Sequence, residues 1–287
     1  MRDRVDTASI AAGTMPLANP DSRPSTLLAP WHKPFFIAFL LFWIANELLL
    51  ALRIELTGAW RWVEGGLVVS AVFSTLLALG RRLPAQNVLM TAVVVSGLAT
   101  GITAVATLTG VPLGPFTYTG NFGEKLFNVV PWPIPLLWLL VIINGRGVAR
   151  LVMRPWRKTN FYGFWVIGLA CAFAVILDLG LEPFAVYAKG LWVWHASKTA
   201  LSFYTAPWVN FLGWFIIPLA ILSFSIPWLI NKQPVKQAMD YHPLIVWLLL
   251  NVYLTTGNAL QGRWLAVVVG GLGNIAIAVY AIRGARW

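Results

Sequence analysis

Residues 161–183 read FYGFWVIGLACAFAVILDLGLEP, and Asp178 and Glu182 are the only charged side chains among them. A helix needs ~20 apolar residues to cross a hydrocarbon core of about 30 Å, so this stretch has the length and composition of a membrane span. Seven more stretches of the same kind surround it, at roughly 34–55, 62–80, 87–109, 131–153, 207–230, 243–260 and 264–282. The mean hydropathy is +0.73, and only 11% of the residues are charged, which departs far from a soluble domain. Lipid offers backbone groups no hydrogen-bond partners, so the spans have to be helices or a closed barrel. A barrel alternates apolar and polar positions, whereas Leu48 to Leu52 and Ala266 to Val269 run apolar without alternation. The sequence therefore predicts an all-α integral membrane protein, a bundle of seven to eight transmembrane helices.

Charge placement orients it. Arg2, Arg4, Arg23 and Lys33 precede the first span. Arg81 and Arg82, then Arg146, Arg150, Arg154, Arg157 and Lys158, then Lys232 and Lys236, then Arg283 and Arg286 fill the later hinges on the same side. The opposite side holds Arg61, Lys125, Lys189, Lys198 and Arg263, with Arg53 near a span end. By the positive-inside rule both termini are expected in the cytoplasm, with the chain in the cell (inner) membrane. The net charge of +11 is then explained by topology and contact with membrane lipid, and no nucleic-acid partner is expected. Residues 1–32 are polar and punctuated by Pro16, Pro20 and Pro24. They are expected to form a mobile cytoplasmic tail rather than a signal peptide, ahead of a single polytopic domain over 33–287.

Cys171 is the single cysteine, so disulfide, haem-attachment and thiolate-cluster chemistry is not expected. His32, His195 and His242 are scattered, whereas a di-iron membrane oxygenase needs clustered histidines. No P-loop or dinucleotide fingerprint is present. The sequence thus points to chemistry with no cofactor and no metal.

Two hinges stand out, 110–130 (GVPLGPFTYTGNFGEKLFNVV) and 183–206 (PFAVYAKGLWVWHASKTALSFYTA). They are too long and aromatic for simple solvent loops and are expected to fold back over the bundle as lids or half-helices. Each leads into a span through a related string, PWPIPLLW at 131–138 and PWVNFLGW at 207–214. Shared Pro, Trp, Leu and Trp make a duplication one reading, and the recurrence of Trp and Pro at helix starts near the headgroups is the other.

The acids carry most of the chemical information. Glu55, Glu64, Glu124 and Asp240 fall at span ends or in hinges, while Glu47 and Asp178 lie inside spans. Glu182 follows Asp178 by four residues and shares its helix face. An ionisable group in hydrocarbon costs ~3 kcal/mol on insertion scales and normally faces the bundle interior. Burial and a second carboxylate both disfavour ionisation of a carboxyl group, and an acid that keeps its proton can donate it. Asp178 and Glu182 are the candidate acids, with Glu47 a secondary one.

ILDLGLEPFAVYAKGLWVWH, followed by FYTAPWVNFLGWF, resembles the signature of the multi-pass membrane carotenoid biosynthesis protein family, the carotenoid hydratases of the bacterioruberin and myxol type. The matching positions are Asp178, Glu182 and Pro183, Trp192 and Trp194, Tyr204, Pro207, Asn210, Phe211, Gly213 and Trp214. Upstream, GPFTYTGNFGEKLFNVVPWPIP is similar to a second family string at Tyr118, Thr119, Gly123, Lys125 and Pro131. Glu182 stands where the family usually has Asp. The resemblance implies water addition to the terminal double bond of an acyclic carotenoid, a polyene substrate reached from the lipid, with other carotenoid-synthesis enzymes as candidate partners. Asp178 would be the general acid, Glu182 its partner, and Trp192, Trp194, Tyr204, Trp208 and Trp214 the aromatic faces for a developing cation. Tyr118 and Asn210 would position water. An ion-coupled transporter or a non-catalytic scaffold are the competing classes; the carrier would be expected to show an inverted repeat and acids near the membrane centre.

Overall fold

The computed structural model describes residues 25, 27–54, 56, 62–195, 201–230 and 239–287. The tail over 1–24 with Arg2, Arg4 and Arg23, and also Glu55, Arg61, Lys198, Lys232 and Lys236, lies outside the described residues. Among the described residues, eight helices are long and apolar enough to cross a membrane. They are α1 (His32–Ala51), α2 (Trp62–Gly80), α3 (Ala85–Thr109), α4 (Pro133–Val152), α5 (Tyr162–Pro183), α6 (Trp208–Leu229), α7 (His242–Leu260) and α8 (Trp264–Ala285). Each falls within a few residues of an expected span, because helix length here is set by the thickness to be crossed and by Pro and Gly at the ends. Pro133 and Pro135 open α4 in the first turn, where their missing N–H groups cost nothing. Gly110, at φ +78°, closes α3 in the left-handed conformation that a side chain would resist.

Ahead of α1 the described chain begins at Ser25. Ser25 N–H donates to the carbonyls of Gly80 (3.0 Å) and Leu83 (3.1 Å), and His32 opens α1 with its ring against His242. Of the lids or half-helices expected for the two long hinges, no half-helix forms among the described residues. The hinges form short antiparallel strands: β1 (Phe116–Tyr118) pairs with β4 (Trp192–Trp194), β2 (Lys125–Leu126) with β3 (Val130–Pro131), and β5 (Ser202–Phe203) with β6 (Ala206–Pro207). Cross-pairing the two hinges satisfies backbone groups that neither could satisfy alone.

A shift of 76 positions maps one half of the core onto the other. It carries β1 onto β4 (116 to 192) and β3 onto β6 (130 to 206), and α3 and α4 onto α5 and α6 within a residue or two at the ends. The β1–β4 register is centred on Thr117 opposite Val193, which are equivalent under the same shift. Antiparallel pairing about an equivalent pair is what a two-fold axis produces. Trp138 and Trp214, also equivalent, stack with ring centroids 4.3 Å apart. Even the unusual backbone repeats, with Asn128 and Tyr204 at φ +58° and +55°. The shared Pro-Trp strings thus mark two copies of one helix–strand–helix unit. Both copies begin with a helix rising from the basic hinges, so the repeat is parallel rather than inverted.

Packing is tightest around α4, whose run from Leu139 to Gly145 is fully buried. A Cβ on Gly284 of α8 would collide with the Leu151 carbonyl of α4 and stand 2.9 Å from that of Val152. Backbone atoms cannot swing aside as a side chain can, so Gly284→Ala should lower stability by about 1–3 kcal/mol. Thermal unfolding in detergent reads this directly, and an unchanged melting temperature would refute the close approach.

Candidate functional site

Asp178 and Glu182 sit one turn apart near the end of α5, where Pro183 interrupts regular bonding. The chain continues as a π-turn over Phe184–Ala188, closed by Lys189 N–H donating to the Phe184 carbonyl at 3.1 Å. Such a wide turn follows when Pro supplies no N–H to the ladder. From α7, Asn258 Nδ2 donates to the Gly180 carbonyl at 2.8 Å and ties this end of α5 to its neighbour. The π-turn then delivers β4, whose alternate residues Trp192 and Trp194 point the same way.

Three side chains donate to the acids. Asn210, in the first turn of α6, donates through its single amide nitrogen to Asp178 Oδ2 at 2.7 Å and to Glu182 Oε1 at 2.9 Å. The indole N–H groups of Trp192 and Trp194 donate to Glu182 Oε2 at 3.1 and 2.9 Å. Asp178 is 0% exposed, Glu182 3% and Asn210 1%. Among the described residues no cation pairs with either carboxylate. Asp178 Oδ1 is buried with no hydrogen-bond partner. Tyr118 packs edge-on to Trp192 at 6.2 Å between ring centroids. Burial, and then the nearby Glu182 charge, push its phenol above the ordinary value, so it stays neutral.

The structure thus gathers Asp178, Glu182, Asn210, Trp192, Trp194 and Tyr118. Other residues expected at the site stand apart from it. Trp208 is 52% exposed and packs on Phe211. Tyr204 faces Tyr187 and Phe203 and accepts from Ala266 N–H through its hydroxyl at 3.3 Å. Trp214 is taken up by Trp138. Glu47 lies on α1, where Oε1 accepts from Thr256 Oγ1 of α7 at 2.7 Å, with no contact to the pair. Trp192 and Trp194 meet the acids as N–H donors, and Asn210 bridges the two carboxylates directly.

A cavity of about 790 Å³ opens beside the site. It is lined by Leu177 and Leu181 of α5 and by Phe184 of the π-turn, and not by Asp178 or Glu182, because successive helix residues turn by ~100°. Phe122 lines this cavity and packs against Trp192 at 5.8 Å. One aromatic wall therefore separates the cavity from the acid pair. At the rim Lys189 bridges to Glu64 Oε1 at 2.6 Å. Neither the cavity nor this ion pair is visible in the sequence; an isolated Lys in an aromatic hinge was the available signal. Among the described residues no three His, Cys, Asp or Glu side chains converge as a metal centre.

Fold and site together define a polytopic α-helical membrane protein with a buried acid pair beneath an aromatic strand. Residues 63–277 match the sequence model of the carotenoid biosynthesis protein family, and the chain belongs to that family. Over 128 residues it is 30% identical to bisanhydrobacterioruberin hydratase of Haloarcula japonica, a stretch covering 44% of this chain and 40% of that protein. The chain therefore matches less than half the length of this relative. No solved structure matches it.

Proposed function

We propose that the protein is a carotenoid hydratase that adds water to the terminal carbon–carbon double bond of an acyclic carotenoid, with Asp178 as the acid. The observation that carries this reading is the donor pattern around the pair. The two indoles can only donate, Asn210 meets both acids through its amide NH2, and three of these four hydrogen bonds fall on Glu182. They suit an ionised Glu182 and leave Asp178 Oδ1 as the atom to carry a proton. Two bare carboxylates sharing one amide without a cation would be strongly unfavourable, and one proton between them removes the conflict.

In the proposed reaction the Asp178 O–H bond breaks as its proton goes to the less substituted alkene carbon. The π electrons form the new C–H bond and leave a tertiary cation. Water adds through oxygen, and the excess proton returns to the Asp178 carboxylate, so no cofactor is consumed. Glu182 and the aromatic faces of Trp192 and Trp194 stabilise the cation electrostatically. The polyene end lies in the 790 Å³ cavity. Trp192 with Phe122 is the wall that turns aside to admit it, which breaks the Trp192–Glu182 hydrogen bond. The relative named as a hydratase supports the reaction class, and the basic hinges support cytoplasmic termini in the cell membrane. The parallel repeat removes the inverted symmetry that the carrier reading expected.

The test is expression of the chain in a lycopene-producing bacterium, with extracted pigments resolved by chromatography and mass spectrometry. A gain of ~18 mass units per hydrated end is expected from one added water. Glu64→Gln is the internal comparison, since Glu64 lines the cavity itself. Loss of product there, with Asp178→Asn still active, would move the acid to the cavity rim and overturn this assignment.

A further inference from the structure

At the end of the bundle opposite the acid pair, a cavity of about 290 Å³ is lined by Arg82, Arg146, Arg150, Arg154 and Arg157, with Asp240 as the acid among them. Arg146 and Arg150 are one turn apart on α4 and share a face, and Arg154 and Arg157 follow in the turn after it. Like charges at this spacing repel. Asp240 does not relieve them, because it is held by Arg81 at 2.8 Å and Arg82 at 3.4 Å. Among the described residues no carboxylate pairs with Arg146, Arg150, Arg154 or Arg157. Arg146 Nη2 donates to the Leu229 carbonyl at 3.0 Å, and Arg154 Nη1 meets the Met239 sulfur, which fixes both side chains along the cavity. Arg154 Nε is buried without a hydrogen-bond partner. Burial lowers the Arg82 pKa below its ordinary value; Asp240 opposes this, and Arg150, Arg81 and Arg154 add to it.

Topology alone asks for basic residues on this side, but not for guanidinium groups turned toward one cavity. We propose that this cavity binds a phosphate group, carried either by the headgroup of an anionic lipid or by a soluble phosphate compound. A phosphate offers several acceptor oxygens and up to two charges, and guanidinium forks pair with it bidentately. A singly charged carboxylate would leave most of the excess unbalanced.

The full chain, purified in neutral detergent, is titrated with inorganic pyrophosphate by calorimetry. Separately, it is exposed to equal amounts of phosphatidylglycerol and phosphatidylcholine and examined by native mass spectrometry. The tested variant is R150Q/R154Q, and the control is R283Q, a basic residue in the last turn of α8 that does not line the cavity. Saturable pyrophosphate binding, weakened at least tenfold in R150Q/R154Q and unchanged in R283Q, assigns a soluble phosphate ligand. Preferential retention of phosphatidylglycerol with the same dependence on the variants assigns a lipid headgroup. Should the double variant fail to fold, R150K/R154K keeps the charge, removes the fork, and is expected to show the same direction of change. Absence of binding by both probes, or an equal loss in R283Q, overturns the proposal.

Discussion

Asp178→Asn is expected to lower the hydrated carotenoid at least about 100-fold, the lower end of what a positioned general acid contributes, while leaving the amount of folded protein unchanged. The substitution keeps the shape of the side chain and can still meet the Asn210 amide through its oxygen, so the 2.7 Å contact to Asn210 has a replacement. What it removes is the dissociable proton at Oδ1. Pigment mass spectra normalised to membrane-extracted protein provide the measurement. Retained hydration at more than a tenth of the starting level would exclude Asp178 as the acid.

Asn210→Leu should affect both activity and stability, and here the expected result departs from the sequence reading. A residue that only positioned water would be dispensable to folding. The structure has its amide holding two buried carboxylates at 2.7 and 2.9 Å. Hydrogen bonds to charged groups contribute about 1.5–3 kcal/mol each, and a buried group left unpaired costs as much again. A loss of at least about 3 kcal/mol is expected, as a melting temperature several degrees lower, together with loss of product. An unchanged melting temperature with product lost would return Asn210 to the water-positioning role.

The aromatic wall gives an independent check on where the substrate lies. Trp192→Phe preserves the packing against Phe122 and deletes one donor to Glu182. Because that hydrogen bond is already broken when the wall turns aside, the loss to the open site is the stronger indole face, and product should fall by about fivefold. Chromatographic yield checks it against Trp208→Phe, which changes an exposed ring away from the site and should leave yield unaltered.

The repeat shows how far the sequence could be read. PWPIPLLW and PWVNFLGW share four residues, too few to separate a duplication from the ordinary recurrence of Pro and Trp at helix starts. The β1–β4 register and the Trp138–Trp214 stack separate them, because symmetry about a shared axis survives after the side chains have diverged. Divergence also confines the acid pair to one copy. At the equivalent positions of the first unit stand Ile102 for Asp178, Ala106 for Glu182 and Ile134 for Asn210. The polar site therefore occurs in the second unit alone, opposite apolar residues at the equivalent positions of the first.

The sequence by itself determined the helices to within one in number and a few residues at their ends, the alternation of basic hinges and the two acids four residues apart. Those properties follow from hydrocarbon thickness, helix periodicity and the cost of charge in lipid, and each is local to a stretch of chain. Tertiary structure alone decided which of many aromatic residues meet the acids. With 16 Trp, composition cannot distinguish an interfacial ring from a donor to Glu182, and only the pairing of β4 with β1 aims Trp192 and Trp194 inward. It likewise decided that Asn210, 32 residues beyond Asp178, bridges both carboxylates, and that the cavity lies on the Leu177 and Leu181 side of α5. These are contacts between distant segments, fixed by packing in three dimensions rather than by any local pattern.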